Sequence, residues 1–356
     1  LRLYGKVSVE QWRGKSLPYT DNLVNLLVSE DLGNVTMNEV MRVLCPDGVA
    51  YIKKDDKWTR TVKPRPANID EWTHYLHDAS NNAVAGDTVV GPPQHLQWVG
   101  APKWARSHDH LASISVVVSS GGRIFYIMDE GPIATVALPP RWSLVARDSF
   151  NGVPLWKRPV GPWEQHLRGF RSGPAGLARR LVAVKDRVYV TLGYGKPVVA
   201  LEAATGRTVR TYEGTENACE IVCQGGLLFV VVGDAAQGRR LGAARRDRWR
   251  SYSLIEPTKR LAAVSAKTGK LLWTKTGADT VDLMPTTLAV AGGRVCFQNP
   301  KEIICLDAKS GKEQWRAARP IRIGRLGWST PTLVVHGDVV LSADRAKPDP
   351  AKANAA

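Results

Sequence analysis

The chain has 356 residues, of which 44% are hydrophobic and 23% charged, a composition that excludes a disordered, collagen-like or coiled-coil protein. Lysine and arginine outnumber aspartate and glutamate by 49 to 33, and the net charge of +16 favours acidic partners without indicating a fold. No apolar run approaches the ~20 residues of a membrane-spanning helix, and five cysteines are too few, and odd in number, for a disulfide framework.

The first predicted elements form a β-α-β unit. Residues 22–28 are an apolar run that predicts a buried strand, and Thr36 and Glu39 have the spacing of a helix capping box. Residues 46–48 end the helix before a second strand at 49–52. The apolar stripe of the helix consists of Met37, Val40, Met41 and Leu44.

Residues 17–27 (LPYTDNLVNLL) and 39–48 (EVMRVLCPDG) resemble the latter half of a class I S-adenosylmethionine (SAM)-dependent methyltransferase of the small-molecule type. Asn25 stands where the pattern has Asp, and Asp47 replaces the first Gly of a pair. The resemblance implies an α/β Rossmann-like methyltransferase fragment over 1–55 that lacks the glycine-rich SAM loop. An unrelated β-α-β unit is the alternative. Because the chain begins at Leu1 without a signal-like segment, we expect a fragment of a longer protein.

Residues 56–89 are predicted to be a basic, proline-containing linker. Four histidines in and beyond it are candidate metal ligands, because two imidazoles one or three positions apart can share a face of a strand or a helical turn. Ordinary polar loop or capping roles are the alternative that the sequence favours, since no closed ligand set is visible. The candidates are His74, His77, His108 and His110.

From residue 90 onward the sequence predicts repeated hairpins. Pairs of apolar, β-branched or aromatic runs flank five two-residue turns, at 121–122, 185–186, 225–226, 292–293 and 337–338. The repeat of about 40–65 residues, with strands and turns only, is typical of four-stranded propeller blades and excludes helical solenoids. Extra residues in the first and third blades predict insertions at 130–142 and 234–258.

Four segments that begin at Ala146, Ala200, Ala263 and Cys305 share a second pattern. In each, an acidic or hydroxyl residue precedes a glycine by four positions, and the glycine precedes a Trp by four, except for Arg210. The polar side chain can accept turn N–H groups, the glycine supplies a positive φ, and the Trp is suited to wedge between blades. The predicted docking residues are Asp148, Gly152, Trp156, Glu202, Gly206, Gly269, Trp273, Asp307, Gly311 and Trp315.

These AxDxxTGxxxW-like segments resemble the PQQ-like (pyrroloquinoline quinone-type) β-propeller repeat of bacterial quinoprotein alcohol dehydrogenases and of BamB-type assembly lipoproteins. The resemblance implies a mainly β fold with four to five WD40/YVTN-like blades over 90–345, an incomplete ring and a disordered tail over 346–356. Quinoprotein dehydrogenases of this type have adjacent bridged cysteines, which the sequence lacks, so PQQ, like SAM, is implied by resemblance only. Cys296 and Cys305 lie in apolar strands and are predicted to be small core residues.

The third-blade insertion contains a cluster of arginines with aromatic residues among them. Such a cluster can bind a polyanion or anionic surface, whereas a solvated loop is the alternative that the sequence favours. The candidate anion-binding residues are Arg239, Arg240, Arg245, Arg246, Arg248 and Arg250.

The motifs together favour a binding or scaffold protein without a complete catalytic site of its own. A protein or small-molecule ligand on a propeller face is the expected partner, with nucleic acid disfavoured. A PQQ-dependent dehydrogenase, or a SAM-dependent methyltransferase in a longer parent, is the alternative. The propeller resemblance favours the cell envelope or periplasm, and the methyltransferase resemblance the cytoplasm.

Overall fold

The computed structural model describes residues 7–92, 96–102, 106, 113–134, 138–161, 176–234, 258–321 and 331–343. The chain divides into two compact units. Unit 1 comprises Leu1–Ile69, Asp87–Val99 and Ser149–Gly152, and unit 2 comprises Asp70–Gly86, Gly100–Asp148 and Val153–Ala356. Residues 346–356, predicted as a tail, lie outside the described residues.

Unit 1 contains the predicted β-α-β unit. Its elements are β1 (Val24–Ser29), α1 (Met37–Val43), β2 (Leu44–Lys54) and β3 (Lys57–Val62). Strands β1 and β2 pair in parallel, and β3 pairs antiparallel with β2 within the stretch predicted as a linker. The hydroxyl of Thr36 caps α1 by accepting from the Glu39 N–H at 3.3 Å. Residues 46–48 lie inside β2, so the second strand begins earlier than predicted.

The described residues of unit 2 form four sheets of four antiparallel strands and a two-stranded hairpin, each built from consecutive strands. The first sheet consists of β4 (Ile114–Ser120), β5 (Arg123–Asp129), β6 (Trp142–Asp148) and β7 (Pro154–Pro159), and the second of β8 (Leu181–Val184), β9 (Arg187–Thr191), β10 (Val198–Glu202) and β11 (Thr208–Tyr212). The third sheet consists of β12 (Ala218–Gln224), β13 (Leu227–Gly233), β14 (Thr258–Ser265) and β15 (Leu271–Thr276), and the fourth of β16 (Ala289–Ala291), β17 (Arg294–Gln298), β18 (Glu302–Asp307) and β19 (Glu313–Ala318). The hairpin consists of β20 (Thr332–His336) and β21 (Val339–Ala343). Helical pieces are a 3-10 turn at Ala178–Arg180, α2 (Ala278–Val281) and a 3-10 turn at Pro285–Thr287.

We refer to these sheets as blades one to five. All five predicted hairpin turns connect the first two strands of a blade. Gly121 and Gly122 have φ of +61° and +71°, the conformation in which a two-residue turn matches the twist of its strands. The predicted insertions lie between β5 and β6 and between β13 and β14, although residues 235–257 are outside the described part of the chain.

The apolar core of unit 2 lies between consecutive blades. Separate clusters of buried side chains join blades one and two, two and three, three and four, and four and five. The fourth strand of a blade is half-exposed, with every second residue turned away from water, as in β15. Burial between sheets therefore makes each blade depend on its neighbours for stability.

Cys296 and Cys305 face each other on β17 and β18 and are fully buried, as predicted for core residues. The two thiols are joined in a disulfide, which the sequence analysis did not anticipate. The pairing arises because the register of the two strands places the residues directly opposite each other. Cys45, Cys219 and Cys223 are buried and lie outside this disulfide.

Candidate functional site

The predicted docking tryptophans contact the glycine turn of the following blade. A Cβ atom on Gly206 would lie 2.6 Å from Trp156 Cδ2, and one on Gly311 would lie 2.6 Å from Trp273 Cδ2. Each indole N–H donates to a backbone carbonyl of the same turn, Trp156 to Ala203 at 2.9 Å and Trp273 to Ala308 at 3.0 Å. The ring and its hydrogen bond therefore fix one blade against the next.

Blade two departs from the pattern because Arg210 stands where the other blades have Trp. Its guanidinium donates to Thr268 O at 2.9 Å, and its side chain lies against Gly269. Tyr212, two residues later, donates its hydroxyl proton to Ala266 O at 2.7 Å. Two side chains thus make the contacts that a single indole makes elsewhere.

The polar residues of the predicted motif act within their own turns. Asp307 Oδ1 accepts from the Ser310 N–H at 2.7 Å, and Ser265 Oγ accepts from the Thr268 N–H at 3.2 Å. Glu202 accepts from Thr205 Oγ1 at 2.6 Å, whereas the backbone N–H of Asp148 donates to Val153 O at 3.0 Å. Trp315 packs against the core shared by blades four and five.

Trp98, which lies before the first described blade, makes a docking contact that the sequence does not predict. Within unit 1 its indole N–H donates to Ser149 O at 3.1 Å, and a Cβ atom on Gly152 would lie 2.4 Å from its ring. The contact repeats that of Trp156 and Trp273. No glycine stands four positions before Trp98, so the motif that identified the others gives no signal here.

A second feature missed from the sequence is the segment Asp70–Gly86, which we call the axial segment. It belongs to unit 2 and bonds to the first strand of every blade. Each bond uses the backbone N–H two residues before the hairpin turn. These bonds run from Ser119 to Trp72 O (2.6 Å), Ala183 to Thr73 O (2.9 Å), Cys223 to His74 Nε2 (3.1 Å), Val290 to Ala79 O (2.7 Å) and Val335 to Ser80 O (3.0 Å).

Side chains of the axial segment add to these bonds. Asn81 is buried, and its amide Nδ2 donates to Leu288 O at 2.9 Å and to Leu333 O at 3.0 Å, which joins blades four and five. In blade one the backbone N–H of Trp72 also donates to the Ser119 side chain, at 2.9 Å to Oγ. The same short segment therefore satisfies backbone groups in five consecutive blades.

The two histidines of the axial segment are engaged by protein partners. His74 Nε2 accepts from the Cys223 N–H, so the ring proton lies on Nδ1 and points to Thr73 Oγ1 at 2.7 Å. His77 contacts Asp70 Oδ2 at 2.8 Å and Asn82 O at 3.2 Å. His108 and His110 lie outside the described residues. Within the described residues, no group of three or more His, Cys, Asp or Glu could hold a metal ion.

Burial lowers the pKa of His74 to about 3 from 6.5, with further repulsion from Arg179 and His77. Since the native imidazole stays neutral while the unfolded one takes a proton below pH 6.5, stability should fall as the pH drops from 6.5 towards 3. In the variant His74→Gln, the Gln Oε1 can still accept from the Cys223 N–H, but the side chain takes up no proton on unfolding. We expect the slope of the unfolding free energy against pH to fall by up to about 1.4 kcal/mol per pH unit, the value for one proton. Urea unfolding between pH 7 and pH 5 measures it.

The matched control for this prediction is His336→Gln, which changes an exposed histidine of β20. It should leave the pH dependence of the unfolding free energy close to that of the unchanged chain. Equal slopes for the His74→Gln and His336→Gln variants would show that His74 is not kept neutral by burial.

A cluster of charged and aromatic side chains around Arg179 joins three blades. Arg179 Nε donates to Glu220 Oε2 at 2.7 Å, and its Nη2 donates to Thr286 O at 3.3 Å. The Arg179 guanidinium carbon lies 5.2 Å from the ring centroid of Tyr75, a cation–π distance. The side chains of Arg179 and Glu220 are only 6% and 4% exposed. We call these four residues the axial cluster.

A family model described as outer membrane protein assembly factor BamB, of the PQQ_2 type, matches residues 140–344, more than half of the chain. The chain belongs to this family. The axial segment and the first two strands of blade one lie before the residues that the BamB-type model matches. The fold is mainly β with several four-stranded sheets, consistent with the propeller that the sequence predicted.

Solved structures similar to this BamB-type chain include BamB from Moraxella catarrhalis, with 15% identity over 64% of this chain and 54% of that one, and a TM-score of 0.36. Quinohemoprotein alcohol dehydrogenase from Comamonas testosteroni has 16% identity over 75% of this chain and 44% of that one, with a TM-score of 0.44. A europium-containing methanol dehydrogenase has 10% identity over 69% of this chain and 48% of that one, with a TM-score of 0.41. The chain spans about half the length of these proteins. A search of curated proteins found no match.

Two further features of the BamB-type chain are the arginine cluster of the third blade and the length of its helices. The candidate anion-binding arginines of the third-blade insertion, residues 239–250, lie outside the described part of the chain, so anion binding there stays a prediction. None of the described helices is long and apolar enough to cross a membrane.

Proposed function

We propose that the propeller of this chain is a binding scaffold. The observation that supports the proposal is the axial segment, which bonds to the equivalent backbone N–H in all five blades. Polar groups that a propeller could offer to an axial ligand are used here to hold the blades together. Binding is then left to the outer surface, where the outermost strands present apolar side chains to water, among them Leu155, Val209 and Leu272.

The described axial residues do not fit pyrroloquinoline quinone, the cofactor that the dehydrogenase resemblance implies. Arg179, a buried charged donor of the axial cluster, is held by Glu220 and by Thr286 O, and Tyr75 lies against its guanidinium. A quinone carboxylate would have to displace a buried ion pair, at a cost of several kcal/mol. We therefore favour the scaffold over the dehydrogenase alternative.

We propose a protein partner in the cell envelope. The family description names outer membrane protein assembly, which is consistent with a protein partner. The buried disulfide between Cys296 and Cys305 is also consistent with an oxidising compartment outside the cytoplasm. An anionic surface that binds the arginines of the third-blade insertion, and a cytoplasmic location, remain the alternatives.

For unit 1 we propose the methyltransferase-like interpretation of the sequence. The parallel pairing of β1 with β2 through α1 supports an α/β layer of that kind. We retain the division into an α/β portion before about residue 55 and a propeller after about residue 90, with one change. The intervening stretch supplies β3 to the α/β sheet and the axial segment to the propeller, rather than serving only as a linker.

The scaffold proposal is tested with the purified chain and with cells that express it. Titration with pyrroloquinoline quinone and Ca²⁺, followed by dye reduction with ethanol and glucose, should give no turnover. In cells, a photo-crosslinking amino acid at exposed Leu272 should give a discrete protein adduct, and the same residue at buried Phe229 should give none.

Quinone- and calcium-dependent dye reduction would overturn the proposal in favour of a dehydrogenase. Absence of an adduct from Leu272, Leu155 and Val209 alike would also overturn it, because these exposed apolar residues are the ones proposed to meet a partner.

A further inference from the structure

The sheet of unit 1 is covered on one face only, within the described residues. Val40 of α1 packs with Leu44 and Ala50 of β2 to form a small buried core on that face. Leu27 and Ile52 pack against the same core. Because side chains alternate along a strand, the intervening residues of β1 and β2 point to the opposite face.

The opposite face is apolar and exposed. The strand register pairs Leu26 with Val49 and Val28 with Tyr51 across β1 and β2, and it pairs Val49 with Val62 and Tyr51 with Arg60 across β2 and β3. The next pair on this face is Lys53 and Trp58. Val28 of β1 is 60% exposed, Tyr51 of β2 is 38% exposed and Trp58 of β3 is 48% exposed, so large hydrophobic side chains from all three strands are in contact with water. A contiguous apolar patch of this kind marks an interaction surface.

The parallel pairing of β1 with β2 indicates what covers such a face. Parallel strands occur in sheets with helices packed on both faces, and an antiparallel edge strand such as β3 is a common addition to them. The apolar residues that alternate on the exposed side of β1 and β2 are those that a second helical layer would bury.

The basic residues on this face indicate which kind of helix can bind to it. Lys53 and Arg60 lie on it, on either side of the aromatic pair Tyr51 and Trp58, and Asp56 partners Lys53 from the adjacent turn. We propose that this face binds an amphipathic helix whose apolar stripe is bordered by acidic residues. This proposal concerns unit 1 and does not depend on the scaffold function of the propeller.

The test uses the full chain and two labelled helical peptides with the same leucine stripe, one bordered by Glu and one by Lys. Fluorescence anisotropy should show saturable binding of the Glu-bordered peptide, with the Lys-bordered peptide weaker by about tenfold or more. The variant Val28→Ser with Tyr51→Ser should weaken the Glu-bordered peptide by about tenfold or more, because it removes apolar contact area from the centre of the face.

Val281→Ser is the matched control, since it changes an exposed apolar residue of α2 in unit 2 that lies outside the proposed binding strands. It should leave peptide affinity unchanged, and far-ultraviolet circular dichroism checks that each variant is folded. Failure of the Glu-bordered peptide to bind, equal affinity for both peptides, or an unaffected Val28→Ser with Tyr51→Ser variant would overturn the proposal. Sedimentation with phosphatidylglycerol vesicles that this variant abolishes would assign the face to a lipid surface and also overturn it.

Discussion

Replacing Glu220 with Ala should lower the free energy of unfolding by about 3–5 kcal/mol, because it leaves the Arg179 guanidinium buried without its carboxylate. Both side chains are more than nine-tenths buried, and the Arg179 Nε to Glu220 Oε2 distance is 2.7 Å. The pair also joins blade two to blade three, so its loss should weaken the interface between them. Urea unfolding followed by circular dichroism measures the change.

A matched control is Glu313→Ala, which removes a carboxylate from a half-exposed ion pair with Arg316 on β19. Water screens that pair, so its loss should cost less than about 1 kcal/mol. A second variant tests the cause of the Glu220 effect. Arg179→Met combined with Glu220→Leu removes both charges together, and it should be less destabilising than Glu220→Ala alone. A loss below about 1 kcal/mol for Glu220→Ala would contradict the proposed role of burial.

The hairpins and blade contacts could be predicted because they depend on local sequence. A two-residue turn such as Gly292-Gly293 carries its own signal in the positive φ it requires, and the strands beside it are rich in β-branched residues. The even offset from Gly311 to Trp315 likewise fixes the face on which the ring lies. These features need no knowledge of distant contacts.

The axial segment could not be predicted for the opposite reason. Trp72, Thr73, Ala79 and Ser80 act through backbone carbonyls, and a carbonyl that accepts a long-range hydrogen bond leaves no mark on the identity of its side chain. The spacing of His74 and His77 makes His74 a candidate metal ligand in the sequence, whereas its partner in the structure, the Cys223 N–H, is distant along the chain. Only the structure brings residues 72–80 to the same position in five repeats.

The exposed sheet face of unit 1 lies between these cases. The alternation of side chains along β2 can be predicted from the sequence, but the face that α1 covers depends on how the helix packs. The stretch that forms β3 resembles a linker in the sequence, because it is basic and ends at prolines. The strand forms because Trp58, Thr59, Thr61 and Val62 have high β-propensity, and because it pairs with β2.

Gly311→Ala should destabilise the chain by about 2–5 kcal/mol, because the glycine combines a positive φ with contact against an indole ring. Its φ is +68°, which costs an L-residue about 1–2 kcal/mol. A Cβ atom would also lie 2.6 Å from Trp273 Cδ2, so the ring would have to move, which overpacking measurements place at about 1–3 kcal/mol. Denaturant unfolding of the purified variant measures the sum.

Gly293→Ala separates the two contributions, because Gly293 has a φ of +74° with no atom within 4 Å of the added Cβ. It should show only the backbone cost of about 1–2 kcal/mol. Trp273→Ala removes the ring that Gly311→Ala collides with, so the two changes combined should cost less than the sum of the single changes, with a coupling of about 1–3 kcal/mol. Equal losses for Gly311→Ala and Gly293→Ala, together with additive behaviour of the double variant, would mean that the indole does not hold neighbouring blades together through this glycine.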